Sequence, residues 1–131
     1  MLFRSAQFAE RTVLRLSGGE RARVLMARVL AGEPSWLLAD EPLANLDPRY
    51  QLELLAYMRR LADTGVGVVA VLHDLTLAAR CADHVVLLQD GGVFAAGPAH
   101  AVMTAENLDA VFGINCEILH DAAGRMAIVS N

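Results

Sequence analysis

Two short, unbroken apolar runs organise the middle of the chain: Trp36 to Ala39, ending on Asp40-Glu41, and Gly67 to Leu72, ending on His73-Asp74. Both are too short for a helix, and continuous rather than alternating hydrophobicity suits strands buried on both faces of a parallel sheet. His84 to Gln89 reads as a third strand. Between the first two, Asp47-Pro48 supplies an N-cap followed by proline at the first helical position. This predicts a helix through Leu52, Leu55, Met58 and Leu61 to the turn at Thr64-Gly65. Asp74 caps a further short helix to about Ala82. The order strand, helix, strand, helix, strand predicts an α/β fold with a mostly parallel sheet flanked by helices.

Ser5 to Arg15 carries a weak helical pattern and leads into a loop at Leu16. Ser17 and Glu20 then form an S-x-x-E capping box, which starts a helix that runs to about Leu30 and stops at Gly32 and Pro34. Val24, Leu25, Ala27 and Val29 are expected on its buried side, and Arg21, Arg23 and Arg28 on its polar side. Beyond the third strand, Asp90-Gly91-Gly92 predicts a hairpin turn into a strand over Val93 to Ala96, closed by Gly97-Pro98. Helical stretches follow over Ala99 to Met103 and Ala105 to Phe112, the second stopped by Gly113. Cys116 to Leu119 and Met126 to Val129 then flank Asp121 to Gly124 as a terminal hairpin.

Composition narrows the function classes. The chain has 131 residues, enough for one domain with a core. Its net charge of −4 leaves no basic footprint for nucleic acid and no polybasic membrane patch. Although 55% of residues are hydrophobic, every apolar run is interrupted before the roughly 18 residues that suggest a membrane span. Cys81 and Cys116 stand far apart without metal-ligand spacing, so no disulfide framework or zinc site is indicated and a reducing cytoplasm is the natural compartment. The start, Met1 to Ser5, lacks the basic and apolar regions of a signal peptide.

The candidate chemistry lies at loop and strand ends. Gly18 and Gly19 would let backbone amides come close to a phosphate, the helix start turns free N–H groups and a positive dipole end toward an anion, and Ser17 adds a hydroxyl. Asp40 and Glu41 pair two carboxylates at the end of an apolar strand and just before Pro42. Isolated acidic pairs are common in surface loops, but placement at the end of an apolar strand, where surface charges gain little, favours a functional pair. His73 stands at the end of the second strand.

Leu16-Ser17-Gly18-Gly19-Glu20 resembles the signature loop of ATP-binding cassette (ABC) ATPases, and Leu37-Leu38-Ala39-Asp40-Glu41-Pro42 resembles their Walker B strand. Ala44-Asn45-Leu46-Asp47 is similar to the D-loop, with alanine where the family commonly has serine, and Leu72-His73-Asp74 to the H-loop. The resemblance covers nearly the whole chain from about Leu14. It implies the C-terminal part of a P-loop NTPase fold, with a signature helix over 17–31, a Walker B to H-loop core over 36–89 and a C-terminal segment over 90–131. All eleven basic residues are arginines, so the lysine-bearing phosphate loop G-x-x-x-x-G-K-[ST] is not among these residues. In the family that loop's strand lies between the strands matching Gly67 to Leu72 and His84 to Gln89.

The resemblance also implies roles. Ser17, Gly18, Gly19 and Glu20 would contact the ATP held by an opposite subunit, Asp40 would hold Mg²⁺, and Glu41 would be the general base. His73 would reach the γ-phosphate, and Asp47 would act across the dimer interface. Implied partners are ATP, a homodimer mate or second ATPase subunit, transmembrane permease subunits and, indirectly, a periplasmic binding protein. The implied location is cytoplasmic, peripheral on the inner face of the membrane. Asp74 to Arg80 and the stretch from Gly97-Pro98 to Gly113 look most like ATPases that import iron chelates, haem or cobalamin. The alternative is a non-catalytic remnant that binds no ATP by itself.

Overall fold

Strands β1 (Trp36–Asp40) and β2 (Gly67–Val71) run parallel in continuous register, from Trp36 opposite Gly67 to Asp40 opposite Val71. Trp36 lies over Gly67 so closely that a Cβ there would collide with the indole unless the exposed ring moved aside. These features come from a computed structural model that describes residues 5–131; the signal-peptide reading falls mainly on residues 1–4, outside that range. The chain folds as two compact units, one reaching to Val71 and one from Leu72 to Asn131.

In the first unit the weak helical pattern after Ser5 resolves into two 3-10 turns, Ala6–Phe8 and Val13–Arg15. Extended backbone at Thr12 precedes the second and prevents one continuous helix. Helix α1 (Gly18–Leu30) starts on the expected capping box. Its inward stripe is Gly19, Ala22, Arg23, Met26, Ala27 and Leu30, a helical i, i+3, i+4 series. Leu25 and Val29, expected inside, are exposed, and Arg23, expected outside, is half-buried. Helix α2 (Pro48–Asp63) buries Leu54, Leu55 and Met58 and turns Leu52 outward.

One face of the parallel pair is covered, with Leu37 buried and α2 against β2. The other is open: Leu38 is 75% exposed, Trp36 66%, Val71 51% and Val69 49%. A sheet covered on both faces was expected from the unbroken apolar runs; here only one face has a cover.

The second unit begins with α3 (Leu75–Cys81), capped by Asp74, whose carboxylate accepts the Leu77 amide at 2.8 Å. Strand β3 (His84–Gln89) has no ladder with β1 or β2 and pairs antiparallel with β4 (Gly92–Pro98), so the parallel ladder holds two strands rather than three. Asp90 and Gly91 both have positive φ, as a tight hairpin with right-handed twist requires. The expected strand over Val93 to Ala96 is longer, and the register slips between Leu87 and Leu88. Short α4 (Ala99–Val102) and α5 (Ala105–Phe112) follow, and β5 (Cys116–His120) with β6 (Met126–Ser130) forms the expected terminal hairpin. The core gathers Ala79, Leu87, Val102, Met103 and Cys116 around the fully buried Leu108. Thr76 Oγ accepts the Ile128 amide at 2.9 Å and donates to its carbonyl at 3.2 Å, and Arg80 Nε donates to the Met126 carbonyl at 2.8 Å. Side chains of α3 thus fasten it to β6.

Candidate functional site

Ser17 keeps extended backbone (φ −61°, ψ 163°) while α1 begins at the next residue. Its hydroxyl oxygen accepts the Glu20 amide at 3.3 Å, and Glu20 Oε2 accepts the Ser17 amide at 2.8 Å. Arg11 adds an ion pair to Glu20 at 3.3 Å. The Glu20 carboxyl is held below the usual carboxylate range, first by the Ser17 amide and then by the Ser17 side chain, with the charges of Arg11 and Arg23 assisting. The hydroxyl rotor can turn its own proton to Glu20 or to an outside oxyanion.

The amides of Gly18 and Gly19 open the helix and have no carbonyl one turn back to bind. Nothing local requires glycine at either position. A Cβ on Gly18 would meet only the Asn45 carbonyl oxygen at 3.8 Å, and one on Gly19 only Tyr50 at 3.6 Å and Leu46 at 3.8 Å, ordinary contact distances. Neither residue has the left-handed backbone that favours glycine. Two glycines in succession at the start of α1 leave its backbone open on that side.

Asp40 ends β1 and is exposed, and the ladder continues one bond further through the Glu41 amide to the Val71 carbonyl at 3.2 Å. Glu41 then takes φ 45°, in the left-handed region, and Asn45 takes φ 59°. Such a conformation costs a non-glycine residue on the order of 1–2 kcal/mol and breaks the strand's alternation at Glu41. Sequence reasoning named this glutamate but gave no sign of its backbone. The loop is pinned by buried Leu43, by Gln51 Nε2 donating to the Leu43 carbonyl at 3.2 Å, and by Asp47, which accepts the Tyr50 amide at 3.2 Å as the cap of α2. The structure brings Gly18 and Gly19 alongside Asn45 and Leu46 of this loop. His73 lies exposed at the start of the second unit, directly before the cap residue Asp74.

Comparison with known proteins places the chain in a family. The ABC transporter family model matches residues 2–44. Two curated relatives are hemin import ATP-binding proteins named HmuV. The one from Bordetella pertussis is 45% identical over 85% of this chain and 46% of its own length. The one from Roseobacter denitrificans is 48% identical over 84% and 45%. The chain belongs to the ABC transporter ATP-binding family. It spans about half the length of these relatives. Among solved structures, a metal-chelate type ABC transporter in an inward-facing conformation superposes with a TM-score of 0.83 at 27% identity, over 95% of this chain and 52% of that one. The dimeric ATP-binding cassette MJ0796 bound to ADP and Pi gives a TM-score of 0.65 at 34% identity, over 72% and 40%.

The donor set fits magnesium of one kind. Among the described residues no three His, Cys, Asp or Glu side chains gather as a metal cage, whereas Mg²⁺ with a nucleotide needs only one or two carboxylates beside phosphate oxygens and water. Asp40 meets that requirement. No helix among the described residues is long and apolar enough to cross a membrane.

Two further features went unread in the sequence. Arg23 stacks on Tyr50 with its guanidinium carbon 4.2 Å from the ring centroid, and the Gln51 amide braces the Leu43 carbonyl. The spacing of Arg23 one helical turn beyond Gly19 was the available signal for the first.

Proposed function

We propose that this chain is the signature-to-H-loop portion of an ATPase subunit that drives an ABC importer. The observation that carries the reading is the pair of glycines at the start of α1, which local packing and backbone leave unexplained and a phosphate would explain. Ser17, Gly18, Gly19 and Glu20 bind and orient the γ-phosphate of ATP held by the opposite subunit, a homodimer mate or a second ATPase chain. Asp40 would hold Mg²⁺, and the ion when bound would neutralise charge on the phosphates. Glu41 accepts the proton of the attacking water, and its left-handed backbone fixes where the carboxylate stands. His73 donates to the γ-phosphate, and Asp47 holds the D-loop at the subunit interface.

The names of the relatives support haem, or a chemically related iron chelate, as the transported substrate. The partners are then permease subunits in the membrane and, through them, a periplasmic binding protein; the net negative charge supports no nucleic-acid partner. The subunit would act in the cytoplasm, on the inner face of the membrane. Because the chain has no lysine, the 131 residues alone are expected to bind Mg-ATP weakly or not at all.

The test is ATP hydrolysis by a complete subunit carrying this sequence, reconstituted with its permease and supplied with haem-loaded binding protein. Haem-dependent stimulation that Glu41→Gln abolishes is expected. Hydrolysis that persists in Glu41→Gln overturns the catalytic assignment, and stimulation by another cargo but not by haem overturns the substrate.

A further inference from the structure

Arg23 is the one arginine of α1 turned toward the body of the first unit. Its guanidinium lies 4.2 Å from the Tyr50 ring centroid and 5.7 Å from that of Phe8, and its Nε is buried with no hydrogen-bond partner. A guanidinium kept in place without a bond to Nε is held by its flat faces, which suits arginine and not lysine. The two residues it joins are placed to matter. Arg23 is one turn beyond Gly19 on α1, and Tyr50 is the residue whose amide caps onto Asp47, in the first turn of α2. Tyr50 and Leu46 also flank the backbone of Gly19.

We propose that Arg23 is a positioning residue that, through Tyr50, locks the glycine turn of α1 to the Asn45 to Asp47 loop, so that both move as one body when they meet nucleotide across the subunit interface. This rests on the functional reading above and adds a coupling that it does not contain. Without the stack, each helix keeps its own cap, because the hydrogen bonds of Ser17 and Asp47 do not involve Arg23. What is lost is their mutual alignment. The clamp therefore acts on the ATP concentration at which the dimer forms rather than on folding or on the chemical step.

The experiment uses a complete subunit carrying this sequence and reads KM for ATP, kcat and melting temperature for Arg23→Lys, Tyr50→Phe, Tyr50→Leu and, as a control, Glu41→Gln. Arg23→Lys and Tyr50→Leu are expected to raise KM by about five- to tenfold with kcat within about twofold. Tyr50→Phe, which keeps the ring, is expected to restore parental KM. Unchanged KM in Arg23→Lys overturns the proposal. So does a fall in kcat and melting temperature at constant KM, which marks a merely structural role. If Arg23→Lys and Tyr50→Leu unfold, the proposal is decided by titrating a non-hydrolysed ATP analogue into folded Arg23→Gln subunit: a midpoint for dimerisation several-fold above the parent's supports it, and an unchanged midpoint overturns it. Persistent turnover in Glu41→Gln would instead count against the functional reading, independently of the clamp.

Discussion

Ser17 and Glu20 satisfy each other reciprocally, hydroxyl to amide at 3.3 Å and carboxylate to amide at 2.8 Å, and this single pair both starts α1 and lowers the Glu20 pKa. Ser17→Ala removes the cap and should cost about 1 kcal/mol in urea unfolding at neutral pH. The acid dependence has a defined sign. A carboxyl with a depressed folded pKa contributes stability that is fully present above its unfolded value, roughly 4.3, and is lost as pH falls through the folded value. Unfolding curves between pH 5 and pH 3, about that window, should therefore be steeper in pH for the parent than for Glu20→Gln. Equal slopes would show that the pair is not closed in solution.

The glycines make a second, opposed pair of expectations. Gly18→Ala fits the backbone and the space around it, so it should stabilise the chain slightly, by about 0.5 kcal/mol. In a complete subunit the added methyl group stands where phosphate is to approach, and ATP-driven dimerisation should weaken by at least roughly tenfold. Gel filtration with a non-hydrolysed ATP analogue reads the second effect. Gain of stability together with unimpaired dimerisation would mean that nothing approaches this backbone.

How far the sequence could be read follows from how local each signal is. Capping at Ser17, Asp47 and Asp74 depends on a residue and its neighbours three positions on, and all three caps form as expected. The Asp90-Gly91 turn is local in the same way. Which side of a helix faces inward depends on what it packs against, and there Leu25 and Val29 lie on the outside against expectation. Arg23 shows the reason: a charged residue reads as solvent-facing unless the aromatic ring that covers it, here Tyr50 far along the chain, is known. Likewise the unbroken apolar runs signal burial on both faces, but β1 and β2 have a cover on only one. Glu41 was legible as chemistry and illegible as backbone, since glutamate has no preference for positive φ.

That backbone separates stability from activity at one residue. Glu41→Gly removes the left-handed penalty, partly offset by the greater freedom of glycine in the unfolded chain. A net gain of about 0.5–1 kcal/mol is expected. Glu41→Gln keeps the penalty and should leave stability within about 0.5 kcal/mol of the parent. Both should lack turnover in a complete subunit, where Glu41→Gln should still bind ATP and hold the dimer closed. Thermal melts beside a phosphate-release assay distinguish the cases. If Glu41→Gly is less stable than the parent, the left-handed turn is not the conformation that the chain adopts in solution.

The open face of the parallel pair sets the behaviour of the chain in solution. Leu38 and Val69 stand opposite each other in register, 75% and 49% exposed, with Trp36 and Val71 beside them on the same face. Contiguous apolar surface of this kind drives association, and the free edge of a short ladder adds unpaired backbone groups that a second strand can satisfy. The purified chain is therefore expected to scatter light as an oligomer at micromolar concentration or to melt without a sharp transition. Burying one large, fully exposed apolar side chain contributes about 1.5–3 kcal/mol, so Leu38→Gln with Val69→Thr, at side chains 75% and 49% exposed, should remove roughly 2–4 kcal/mol from a contact on this face. That corresponds to on the order of a hundredfold in the association constant, enough to bring back monomer while circular dichroism keeps its α/β form. A monodisperse parent with a sharp, cooperative transition at high temperature would show that the open face is covered within the chain itself.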